Sequence, residues 1–223
     1  MKAVIFDFNG TMFFDTDKHD ASWKRFLENL CKRRITQEEL DRYNVHGRTN
    51  KVILEHFTGT LLSDAHAHEL SEQKEAMYRE LCLQDRARFH LANGVSAYLD
   101  FLKEKGIPRT IATASGKSNL DFYISEFHLA RWFDTNRIIY NDGTVRGKPD
   151  PDLYLRAANT LGADVKDCLV IEDSPLGTLA AKRAGIGTIF AISPGNHASA
   201  FTATAQKVIA DFTDPALYAW LDA

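Results

Sequence analysis

The chain is poor in cysteine. It has three, Cys31, Cys82 and Cys168, far apart and odd in number. They form no CxxC pair, so they offer neither a disulfide framework nor a cysteine-rich zinc site, and they read as small buried hydrophobes. No apolar run approaches the roughly 18 residues that a membrane-spanning helix needs. The apolar start, Ala3-Val4-Ile5-Phe6, is cut off by Asp7 and is too short for a secretory leader. An excess of one charge is missing as well, with 27 Lys and Arg against 30 Asp and Glu and a net charge of -3. That balance leaves no electrostatic footprint for nucleic acid and no basic amphipathic face for anionic lipid. Repeats, low-complexity tracts and long linkers are absent too. These absences point to a reduced, cytoplasmic protein without nucleic-acid or membrane partners, and a monomer is expected. Its 223 residues suffice for one large domain, or for a domain with a small insertion.

What is present begins with Ile5-Phe6-Asp7-Phe8-Asn9-Gly10-Thr11. A short apolar run ended by a turn signal reads as a buried parallel strand, so Asp7 stands where that strand ends. In open α/β sheets ligands bind at the carboxyl ends of the strands. A helix is expected from about Asp17, capped by Asp15 or Thr16. From there to about residue 84 only helical signals occur. Trp23, Phe26, Leu27 and Leu30 recur at helical spacing, Thr36-Gln37-Glu38-Glu39 has the form of a capping box, and Gly47-Arg48-Thr49-Asn50 separates two helical segments. Residues 15–84 therefore read as an all-helical insertion, and 1–14 with 85–223 as the body that carries it. Hinges between the two are expected near Phe14-Asp15 and near residues 84 to 93.

From Asn93-Gly94 helices and strands alternate. Strands are expected at 108–113, 137–140, 168–171, 188–192 and 207–210, which implies a Rossmann-like parallel sheet core with right-handed crossovers. Three strands end in reactive groups: Asp7, Thr113, and the pair Glu172-Asp173. Lys148 opens a helix between the last two, where Pro151 suits the first turn. Three carboxylates converging at one sheet edge without a cation would repel and protonate. They call for a hard divalent ion, and an all-oxygen ligand set with a phosphate partner suits Mg²⁺. Thr113 and Lys148 would then supply a hydroxyl and a cation to phosphate oxygens. A nucleotide-binding Rossmann protein is disfavoured, because no GxGxxG follows the first strand.

Asp7-Phe8-Asn9-Gly10-Thr11, Thr113, Lys148 and Ile171-Glu172-Asp173-Ser174-Pro175 stand in the order of the four motifs of the haloacid dehalogenase superfamily, and the chain resembles that superfamily over almost its whole length. Gly147-Lys148-Pro149-Asp150-Pro151 and the stretch from Ile171 to Gly177 are similar to the branch that includes beta-phosphoglucomutases and sugar-phosphate phosphatases. The resemblance implies an α/β core with a small helical cap. It implies that Asp7 attacks phosphorus and becomes an aspartyl phosphate. Mg²⁺ would be held by Asp7, the carbonyl of Asn9, Glu172 and Asp173. Catalysis would rest on Asp7, Asn9, Thr113 and Lys148. His19, Arg48 and Lys74 of the cap, with Ser115, Gly116 and Lys117, would contact the substrate, a small phosphorylated metabolite such as a sugar phosphate.

One position departs from the pattern. Enzymes of this superfamily usually carry a second Asp two residues after the nucleophile, which serves as acid and base. Here that residue is Asn9, whose amide donates a hydrogen bond but releases no proton at useful pH. The sequence leaves three readings open: an unusual phosphatase or phosphomutase, a binding or regulatory protein on the same scaffold, or an engineered substitution at position 9.

Overall fold

The computed structural model describes residues 1–43, 45, 48–195 and 198–222, so Gly47 of the expected helix break lies outside the described residues. The chain forms two compact units, one of Met1–Phe14 with Leu91–Ala223 and one of Asp15–His90. The second boundary thus falls six residues later than the change of sequence pattern at 84/85. The stretch past the last cap helix stays with the helical unit because Asp85 and Arg88 join Lys18 and Asp17 in one ion-pair network.

The chain starts with strand β1 (Ala3–Phe6) and then runs through four helices, α1 (Thr16–Cys31), α2 (Gln37–Tyr43), α3 (Asn50–Thr58) and α4 (Asp64–Gln84). The rest alternates: α5 (Val95–Glu104), β2 (Arg109–Ile111), α6 (Lys117–Glu126), α7 (Asp152–Leu161), β3 (Cys168–Glu172), α8 (Pro175–Arg183), β4 (Thr188–Ile192), β5 (Lys207–Ile209) and the short α9 (Ala216–Ala219).

The helical unit closes on Trp23, Phe26, Leu27, Ile53, Leu54 and Leu70, which pack as one buried cluster. Its sequence signals are realised locally. Thr36 and Glu39 form a reciprocal capping box, with Thr36 N donating to Glu39 Oε2 at 2.9 Å and Glu39 N donating to Thr36 Oγ1 at 3.2 Å. Asp15 takes the N-cap position of α1, but its side chain makes no capping bond.

The α/β unit is built on a five-stranded, all-parallel sheet in the order β2-β1-β3-β4-β5. Every residue of β1 is buried, as the unbroken apolar run demands of a strand covered on both faces. Each such Ile or Phe contributes about 1.5–3 kcal/mol by leaving water. The strand expected at 137–140 is not formed. That stretch leaves a three-residue 3₁₀ turn at Thr135–Arg137 and touches the sheet through one bridge, Ala112 to Ile139. The amide and carbonyl of Ile139 pair with Ile111 and Thr113, and Thr110 Oγ1 donates to the carbonyl of Arg137 at 2.7 Å. Two cysteines, Cys82 and Cys168, are buried as expected, and Cys31 is only partly so. Among the described residues, no helix is long and apolar enough to cross a membrane.

The strand order fixes where chemistry can sit. β1 lies between β2 and β3, so connections leave it toward opposite sides of the sheet. The crevice at that reversal, at the carboxyl ends, is where ligands bind in open α/β sheets.

Candidate active site

Asp7 follows β1 directly, and its amide is still paired to the sheet through Ile171 O at 3.0 Å. The chain then turns back tightly. The carbonyl of Phe8 accepts from the amides of Thr11, Met12 and Phe13 at 3.3, 2.8 and 3.2 Å. Gly10 makes this turn at φ +71°, in the left-handed region. A Cβ at Gly10 would overlap the Asp173 carboxylate, so glycine is also what admits Asp173 to the site.

Lys148 is the hub. Its Nζ donates to Asp7 Oδ1 at 2.6 Å and to Glu172 Oε1, and it lies 5.5 Å from the Tyr154 ring centroid. All three charged groups are buried. Burial alone would lower the ammonium's pKa, but Asp7 and Glu172 outweigh it and hold the group well above its ordinary value. Glu172 is engaged at both oxygens. Oε1 accepts from Lys148 and from Tyr154 Oη at 3.1 Å, and Oε2 accepts from Ser174 N and Oγ at 2.6 and 2.9 Å. The Ser174 hydroxyl in turn accepts from Gly177 N at 3.0 Å, which caps α8. Gly177 is required for space, since a Cβ there would overlap Glu172.

Carboxylate oxygens of Asp7, Glu172 and Asp173 lie within 4.8 Å of one another. Three carboxylates stand against the one ammonium of Lys148, a surplus of negative charge among these four groups. An all-oxygen cluster with that surplus fits a hard divalent cation, and Asp173, the least buried of the three, stands nearest to solvent.

Asn9 is clamped in a hydroxyl cage. Its Nδ2 donates to Tyr123 Oη at 2.7 Å, and its Oδ1 accepts from Ser115 Oγ at 2.8 Å, with Thr113 Oγ1 at 3.5 Å. Thr113 Oγ1 accepts from Ser115 N at 3.1 Å. Tyr123 is buried and stacked on Phe8, centroids 4.4 Å apart.

The structure therefore gathers Asp7, Asn9, Thr113, Ser115, Lys148, Glu172 and Asp173 at the ends of β1, β2 and β3. Gly116 sits beside them as the N-cap of α6. Lys117 turns to the surface and pairs with Asp121. His19, Arg48 and Lys74 belong to the helical unit. Lys74 is buried inside the helical unit, with Nζ 2.9 Å from His19 Nδ1, 3.1 Å from Glu75 Oε1 and 4.8 Å above Trp23. The His19 ring stacks on Tyr78, whose hydroxyl donates to Asp15. Arg48 lies over the Tyr43 ring at 4.7 Å, and its Nε donates to Tyr43 O. Sequence reasoning gave no role to Tyr123 or Tyr154. Tyr123 and Tyr154 sit at apolar helical positions and read as plain core. Their hydroxyls meet partners 114 and 18 residues away.

A model of the haloacid dehalogenase-like hydrolase family matches residues 1–185. The chain belongs to the haloacid dehalogenase-like hydrolases. Within this family it is 30% identical to the beta-phosphoglucomutase of Bacillus subtilis over 197 residues, covering 87% of the chain and 84% of that protein. It is 35% identical over 127 residues to the bifunctional riboflavin kinase/FMN phosphatase of Arabidopsis thaliana, of which the match covers 33%. The crystal structure of a haloacid dehalogenase hydrolase, family IA, variant 3, from Entamoeba histolytica superposes with a TM-score of 0.87 at 33% identity, covering 100% of both chains. The chain is thus an enzyme of the haloacid dehalogenase-like family, with phosphatase and phosphomutase relatives and the α/β fold expected of it.

Proposed function

We propose that the chain catalyses Mg²⁺-dependent phosphoryl transfer or hydrolysis on a small phosphorylated metabolite, through an aspartyl phosphate formed on Asp7. The observation that carries this reading is the Lys148 ammonium placed between Asp7 and Glu172, with Asp173 beside them. The Asp7 oxygen not bound to Lys148 is the nucleophile. Phosphoryl transfer is chiefly positioning and charge neutralisation, and the residues present suit both tasks. Lys148 and the hydroxyl of Thr113 receive the phosphoryl oxygens. Glu172 acts at one remove, fixing Lys148 through one oxygen and the start of α8 through the other. Asp7, Asp173 and the main-chain carbonyl of Asn9 would hold the cation. When bound, Mg²⁺ supplies Lewis-acid neutralisation of the phosphoryl oxygens. The similarity to a beta-phosphoglucomutase supports a phosphorylated carbohydrate as one candidate substrate.

A screen of phosphorylated metabolites with Mg²⁺ tests the proposal. Turnover is expected for the native chain and none for Asp7→Asn. Unchanged turnover in rigorously purified Asp7→Asn would remove Asp7 as nucleophile.

A further inference from the structure

The turn after β1 places one side chain, Asn9, two residues from the nucleophile and at the same strand end. Its amide is held at both ends by Tyr123, Ser115 and Thr113. The Tyr123 ring is fixed by stacking on Phe8, and the Ser115 amide is tied to Thr113. A carboxamide in this cage is a rigid hydrogen-bonding group, not a proton carrier. Tyr123, Ser115 and Thr113 hold it through their hydroxyl groups.

From this cage we infer that the site, read as the phosphotransferase proposed above, takes its phosphoryl group from donors whose leaving group is a weak base, acyl phosphates above all, and that the resulting aspartyl phosphate persists. In the first step the Asp7 oxygen forms a bond to phosphorus and the bond from phosphorus to the acyl oxygen breaks. The departing carboxylate keeps the electron pair and needs no proton. An alkyl phosphate would have to expel an alkoxide, and the Asn9 amide has no proton to give it. In the second step water attacks phosphorus, the bond to Asp7 breaks, Asp7 recovers its carboxylate, and the water proton passes to solvent. The same amide that cannot give a proton cannot take one from that water, so this step is slow.

The test compares acetyl phosphate, para-nitrophenyl phosphate and glycerol phosphate as donors, with Mg²⁺, on the native chain, Asn9→Asp and Asp7→Asn. Phosphate release and intact mass are both read. Because Asn9 precedes Gly10 and can deamidate, peptide mapping checks position 9 in every sample. Acetyl phosphate is expected to leave a hydroxylamine-sensitive phosphoryl adduct on the native chain. Glycerol phosphate should turn over at least about a hundredfold more slowly, within the range of a missing general acid. Asn9→Asp should raise glycerol phosphate turnover at least about tenfold and shorten the life of the adduct. Equal native rates on acyl and alkyl donors overturn the inference and leave the phosphotransferase reading standing. So does a native chain that gains no adduct from acetyl phosphate while Asn9→Asp turns over phosphomonoesters. If neither protein takes a phosphoryl group from any donor, the reading of the site itself falls.

Discussion

The ammonium of Lys148 lies 2.6 Å from the carboxylate of Asp7, with both side chains almost wholly buried. This pair joins the helix that follows Lys148 to the first strand across 141 residues of sequence. It also sets the orientation of Asp7, since one carboxylate oxygen is committed to the lysine. The cation is itself shared with Glu172, so removing it strands two buried carboxylates at once.

Lys148→Met should therefore cost stability as well as activity. Breaking a buried ion pair by deleting one partner costs about 3–5 kcal/mol. The two carboxylates left behind would repel each other. Urea unfolding at neutral pH should show the loss. A variant as stable as the parent at neutral pH would refute the central role given to this pair.

Metal affinity should separate the two acidic neighbours. Asp173 stands partly open, whereas both oxygens of Glu172 are already engaged. Isothermal calorimetry with Mg²⁺ is expected to show a loss of about tenfold or more for Asp173→Ala. Glu172→Gln should lose less affinity than Asp173→Ala, since its oxygens are already bonded to Lys148, Tyr154 and Ser174. Equal binding by Asp173→Ala and the parent would exclude Asp173 as a ligand.

Two left-handed glycines make a matched pair. Gly10 and Gly59 have φ +71° and +68°, but a Cβ at Gly59 meets open space while one at Gly10 runs into Asp173. Gly59→Ala should lose only the backbone term of about 1–2 kcal/mol. Gly10→Ala should lose more, and should also weaken Mg²⁺ binding. If thermal unfolding shifts both variants alike, the packing of Asp173 on Gly10 is not what demands glycine.

Lys74 gives the helical unit a pH signature. Burial lowers its pKa, with Glu75 opposing in part. His19, Glu75 and Asp15 face it or lie next to it in the same cluster. Between the lowered folded value and the ordinary unfolded one, the unfolded chain binds more protons. Stability must then rise as pH increases through that window. Lys74→Met keeps much of the volume against Trp23 and Tyr78 and removes the charge, so the rise should vanish. Urea midpoints taken from pH 7 to pH 10 would show it, and an identical rise in the variant would assign it to another group.

The sequence by itself determined the strand ends. Ala3-Val4-Ile5-Phe6 and Cys168-Leu169-Val170-Ile171 are unbroken apolar runs because parallel strands are covered on both faces. The polar residue that ends each run necessarily falls at the sheet edge, and this made Asp7, Thr113, Glu172 and Asp173 legible. The helical insertion was legible for a similar reason, since its 3.6-residue spacing and capping box are local signals. Tertiary structure alone decided what depends on distant partners. The stretch after Arg137 has enough apolar character for a strand, yet it meets the sheet in a single isolated bridge, Ala112 to Ile139, among the described residues. Lys74 carries a charge, the usual mark of a surface residue, but is enclosed by Trp23, Tyr78 and His19 from two helices. The state of Asn9 was hidden most completely. Its identity is read in one letter, but whether its amide is free to move or held fast is set by a tyrosine 114 residues away. Hydrogen bonds between such remote groups leave no periodicity in a sequence; they exist only once the sheet has brought its strand ends together.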